Sequence, residues 1–206
     1  MRKRILMLLF CVLFSISVMM APCVAVGGQT RSETDPFGWW YTDTPTYYVD
    51  EYLVGTELTS LFSSFTEAIS SWNGALSLIE MQYEHDYRSA DIYMGASRLS
   101  TINSPGISYK TLYVFYDSVI TSASVYMNTA NSSLMNSLGT HFAESVAAHE
   151  IGHLYGLAHV DDTSSIMSVY RNRTSVYAPT TTDTDNVSDY YTYVDWEFLD
   201  DPSLYG

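Results

Sequence analysis

The sequence predicts an α+β domain, and three observations carry that reading. Apolar residues recur with helical period over 57–72, at Leu58, Leu61, Phe62, Phe65, Ile69 and Trp72. Residues 123–128 alternate instead. Ala123, Val125 and Met127 share one face and Ser124, Tyr126 and Asn128 the other, as in a half-buried or edge strand. A second helical stretch over 140–155 meets its stop signal at Gly156.

The chain has 206 residues, 47% hydrophobic and 16% charged, with a net charge of −14. That length fits one domain plus a targeting segment. Disorder requires lower hydrophobicity. Nucleic acid is excluded as a partner, because so acidic a chain has little with which to neutralise phosphates.

Residues 1–25 read as a secretory signal peptide. A basic start, Arg2-Lys3-Arg4, precedes an apolar run over 5–20, and small residues follow it up to Ala25. Sixteen residues are short for a membrane span. The reading is therefore cleavage after Ala25 and no stable membrane insertion. Cleavage would leave six basic against 23 acidic residues, a net charge of −17, and would remove both cysteines, Cys11 and Cys23. The mature protein would be extracellular without any disulfide framework.

Residues 26–46 read as an N-terminal extension lying on the domain proper, 47–206. Within the domain, strands are expected at 47–50, 78–83, 91–94, 112–116 and 123–128. The 57–72 helix should end near Asn73-Gly74. Pro105-Gly106 marks 97–110 as loop. Residues 163–182 look irregular, and 183–193 reads as a last helix capped by Asp183 or Thr184.

One stretch carries chemistry: His149-Glu150-Ile151-Gly152-His153, then Gly156 and His159. Four residues apart on a helix, His149 and His153 face the same side and can reach one ion. Glu150 lies one step round, beside the metal without binding it, where a general base belongs. His159 would point elsewhere if the helix continued. Gly156 is where the chain can turn, since glycine takes positive φ at no steric cost. Three protein nitrogens leave a fourth position for water, the pattern of a catalytic zinc.

With these residues the chain resembles the metzincin clan of zinc metallopeptidases, whose zinc motif is followed by a methionine turn. Ser165-Ile166-Met167-Ser168 resembles that turn, with Met167 as a hydrophobic floor under the ligands. Within the clan the chain is most similar to the matrixins, especially short secreted bacterial ones. Ser89-Ala90-Asp91-Ile92-Tyr93 and the region 179–191 support this, and the resemblance covers about 39–193. It implies a twisted mixed sheet of about five strands with an active-site helix and a C-terminal helix. It implies a protein or peptide as substrate, added antiparallel along 123–128, and a specificity pocket between the zinc helix and about 169–179. Tyrosine comes only at Tyr170, so a transition-state role for that hydroxyl is not carried over. No cysteine-switch propeptide is visible.

Arg171 and Arg173, on the pocket segment, read as solvated surface arginines, although acidic substrates are an alternative. His85 and His141 read as ordinary histidines. Calcium is a candidate second ion, at Asp161-Asp162, Asp183-Asp185-Asp189 and Asp200-Asp201, although helix capping explains the second cluster equally well. The expectation is thus a monomeric secreted zinc endopeptidase. Its alternatives are a zinc hydrolase of small amides or esters, and an inactive secreted binding protein of the same fold.

Overall fold

The computed structural model describes residues 38–53, 59–101, 104–113, 116–131, 140–192 and 194. The expected signal peptide, 1–25, and Asp200-Asp201 lie outside them. Six strands form one sheet: β1 (Trp39–Trp40), β2 (Thr46–Val49), β3 (Gln82–Tyr83), β4 (Ile92–Ser97), β5 (Gly106–Tyr113) and β6 (Tyr116–Asn128). Among the described residues three α-helices accompany it: α1 (Thr59–Ala75), α2 (Thr140–Leu154) and α3 (Thr181–Tyr191). The α+β expectation holds. Among the described residues, no helix is long and apolar enough to cross a membrane.

The sheet is mixed. Strands run in the order β3-β2-β4-β6-β5, with β1 pairing β6 ahead of β4. All pairings are parallel except β5 with β6. Parallel neighbours need a crossover, and α1 supplies the one between β2 and β4. Its apolar stripe, Leu61, Phe65, Ala68, Ile69 and Trp72, is buried. The Trp72 indole donates to the carbonyl of Ala148 at 2.9 Å, which fixes α1 against α2. The sheet contributes Val49, Ile92, Met94, Ile120, Val125 and Met127 to the same core.

Several boundaries differ from the sequence reading. Residues 39–46 do not simply lie on the domain: Trp39 and Trp40 pair with Val119 and Ile120, and Trp40 is fully buried. Helix α1 ends at Ala75, near Asn73-Gly74 as expected, and the Asn73 side chain bonds both backbone groups of Met81. The 78–83 strand shortens to Gln82–Tyr83. The 97–110 stretch is not all loop: Pro105-Gly106 marks the start of β5. Gly106 is tight there, since a Cβ would press on Val146 and on Glu150 Cγ at 3.0 Å. The expected 112–116 strand is divided: β5 includes Leu112 and Tyr113, β6 begins at Tyr116, and 114–115 lie outside the described residues.

Two further corrections bear on function. The 123–128 segment is not an edge, since β4 pairs it on one side and β5 on the other. Helix α3 is capped by Thr180 rather than Asp183 or Thr184. Asp183 is its third residue, and its carboxylate accepts from the Thr180 amide at 2.8 Å in a reciprocal capping box.

Candidate metal centre

Helix α2 ends in a Schellman turn that builds the site. Gly156 adopts φ 90°. The Gly156 amide donates to His153 O and the Leu157 amide to Gly152 O, both at 3.1 Å. The turn carries the Leu157 carbonyl to His153 Nδ1 at 2.8 Å, and the returning chain brings in His159. The Ile166 carbonyl meets His149 Nδ1, also at 2.8 Å. A carbonyl accepts only from N–H, so Nδ1 carries the proton in both rings and Nε2 presents a lone pair.

His159 Nε2 lies 3.1 Å from His149 Nε2 and 3.1 Å from His153 Nε2. Ligands on a tetrahedral zinc with bonds of about 2.0–2.1 Å stand about 3.3 Å apart. The donor set therefore fits zinc. Among the described residues, the acidic clusters at Asp161-Asp162 and Asp183-Asp185-Asp189 do not gather in this way; the three histidines do. Burial holds all three imidazoles below their ordinary pKa, His153 to about 3, which keeps them neutral and able to bind metal.

Glu150 is buried beside the trio. Burial pushes its carboxyl up to about 7, while hydrogen bonds from Ser108 of β5 and the charges of Arg171 and Arg173 pull the other way. A carboxyl with that balance can accept and release a proton near neutrality.

Met167 is buried under α2, and a Cβ at Gly152 would collide with its Sδ. The turn around it is fastened from α3. Asp183 accepts from the Ser165 hydroxyl and, at 3.1 Å, from the Ile166 amide. The Met167 amide donates to Ser165 Oγ at 2.9 Å.

With this geometry in place, residues 39–192 match the matrixin peptidase family. The chain belongs to the matrixin family. Matrixins are metallopeptidases that use a catalytic zinc, and the three converging histidines could hold a metal ion. A comparison with curated proteins finds no match.

The matrixin domain brings together His149, His153, His159, Glu150, Gly156 and Met167, all singled out from the sequence. His85 and His141 stand apart: His85 packs on Tyr83, and His141 stacks on Tyr177 and bonds Glu144. Tyr170 is 74% exposed.

Arg171 corrects an expectation. It is 4% exposed rather than solvated, with Nε on Ser145 Oγ at 2.9 Å, Nη2 on Ser145 O at 2.8 Å and Nη1 on Ser168 O at 2.7 Å. It straps the second turn of α2 to the exit of the methionine turn. Sequence offered no periodic signal for this, because the segment is irregular. One other supporting residue, and the role of a second, were missed. Lys110 of β5 donates to His153 O at 2.7 Å, a cation at a helix C-terminus. Asp183, read from the sequence only as a cap, also supports the methionine turn, and the Thr180-x-x-Asp183 spacing could have placed the cap at Thr180.

Proposed function

We propose that this chain is a secreted, zinc-dependent endopeptidase with His149, His153 and His159 as metal ligands and Glu150 as general base. The observation that carries this is the convergence of three imidazole Nε2 atoms, with His159 Nε2 3.1 Å from each of the other two, beside a buried carboxyl. Zinc in such a site polarises a carbonyl and acidifies water. Glu150 takes the proton from the attacking water and passes it to the departing amine nitrogen. No covalent acyl-enzyme is involved, so the serines near the site need no nucleophilic role.

The substrate strand is β5, not 123–128. Among the described strands β5 pairs only with β6, which leaves its other edge for an extended peptide. Ladder hydrogen bonds would bind many sequences there. Secretion is proposed from residues 1–25, whose basic, apolar and small-residue segments follow in the order of a cleaved signal.

The test is metal analysis of the purified chain combined with cleavage of casein and of a peptide library, with and without a chelator. Near-stoichiometric zinc and chelator-sensitive cleavage support the reading. Zinc with turnover of small amides alone would favour a non-peptidase hydrolase. Biological activity unchanged by Glu150→Gln would favour an inactive binding protein.

A further inference from the structure

Two guanidinium groups stand beside Glu150 in a chain with a net charge of −14. Arg171 is buried; it donates to Ser145 Oγ, Ser145 O and Ser168 O, and its Nη1 also lies 3.1 Å from His149 Nδ1. Arg173 is half-buried. Its Nη2 reaches Val169 O at 3.3 Å, its guanidinium carbon lies 5.9 Å from the Phe142 ring centre, and its Nε is buried with no hydrogen-bond partner. Neither arginine has a carboxylate within ion-pair reach; among the described residues the recorded pair is His141 with Glu144. Burying a charge costs several kcal/mol, which Glu150 beside both arginines and Asp183 near Arg171 offset in part, and an orphaned buried N–H costs about 1–3 kcal/mol. Both are retained at one place, next to the catalytic carboxylate.

The direction of the substrate says which of its residues meets them. Strand β5 runs from Gly106, packed on Val146 and Glu150, to Lys110, bonded at His153 O. A peptide added antiparallel to β5 runs the opposite way. Its N-terminal half lies over His153. Its C-terminal half lies over Val146 and the preceding turn of α2, with Ser145 and Phe142. Those are the residues against which Arg171 and Arg173 are packed.

We propose that Arg173 and Arg171 select an acidic residue immediately after the scissile bond, Arg173 as the contact and Arg171 as a fixed charge behind it. This rests on the peptidase reading above. A guanidinium offers a fork of N–H groups that matches a carboxylate, and the orphaned Arg173 Nε supplies one tine. The acidity of the rest of the chain does not oppose this. Exposed charges farther away than about 8 Å are largely screened at physiological salt.

The experiment uses the zinc-loaded chain and three peptides that differ only in Glu, Gln or Lys after the cleaved bond. Glu and Gln share shape, so their kcat/KM ratio isolates charge. The expected ratio is about tenfold in favour of Glu, falling as salt is raised, which is the size of one partly desolvated charge pair. Arg173→Gln should bring it near unity, Arg173→Lys should keep part of it, and Arg173→Glu should make the Lys peptide the better substrate. Chelator-sensitive cleavage of the Gln peptide by each variant shows that the site is intact. Equal cleavage of Glu and Gln by the parent protein, or a ratio that Arg173→Gln leaves unchanged, overturns the proposal while the peptidase reading stands. No cleavage of any peptide or of casein overturns both.

Discussion

The Ile166 carbonyl accepts the Nδ1 proton of His149 at 2.8 Å, and the Ile166 amide donates to Asp183 at 3.1 Å. The backbone of one residue thus links the first of the three converging histidines to a carboxylate on another helix. Asp183 orients the turn, the turn orients the ring, and the ring presents Nε2.

Asp183→Ala should therefore damage more than a helix cap. It leaves the Ser165 hydroxyl and the Ile166 amide without their acceptor in a buried place. Loss of about 2–3 kcal/mol of stability is expected, read by thermal or denaturant unfolding. Zinc affinity should fall about 10–100-fold, read by competition with a chromogenic chelator. Unchanged zinc affinity would show that the methionine turn is held without α3.

Glu150→Gln preserves shape while removing the base. Cleavage should drop by at least about a hundredfold, with zinc content and folded stability retained. Steady-state kinetics together with metal analysis separates this from a folding defect.

Two glycines of the zinc motif answer to different forces. Gly156 has φ 90°, where a side chain is strained, so Gly156→Ala should cost about 1–2 kcal/mol and loosen the Leu157 carbonyl from His153. At Gly152 the backbone is ordinary but space is not: a methyl group there meets Met167 Sδ and Trp72. Gly152→Ala should cost about 1–3 kcal/mol by overpacking. Met167→Ala in the same chain should relieve part of that cost, a coupling that a double-mutant cycle measures.

Acid should weaken the metal-free fold. Burial holds the His153 imidazole down at about 3, against 6.5 for an exposed ring. Below pH 6.5 the unfolded chain takes up a proton that the folded chain refuses, so stability is full above that value and is lost as pH falls toward 3. At pH 5 the loss from His153 alone is about 2 kcal/mol. Melting of the chelator-treated protein between pH 7 and 5 checks this, and His153→Gln should remove its share of the dependence and leave that of His149 and His159.

The sequence revealed most where one residue type had one physical use. The imidazole spacing, Glu150 beside it and the glycine bend were legible because metal binding and helix geometry leave few other patterns. Helix α1 was legible from its apolar stripe. The strands were harder. Residues 123–128 alternate as an edge strand would, yet β5 and β4 cover both sides, because alternation reports which faces are buried and says nothing of which edges are paired. Gly106 looked like loop chemistry and proved to be the close approach of β5 to α2. Arg171 looked solvated because arginines mostly are; its burial depends on Ser145 and Ser168, 26 and three residues away. Such partnerships are tertiary and leave no local pattern.

The acceptors that set His149 and His153 are main-chain oxygens, of Ile166 and Leu157. Any amino acid at those two positions supplies the same oxygen, provided the trace of the chain is kept. Ring orientation is thus insulated from drift in side-chain identity at 157 and 166. What it depends on is whatever preserves the bend and the loop, above all Gly156 and the carboxylate of Asp183.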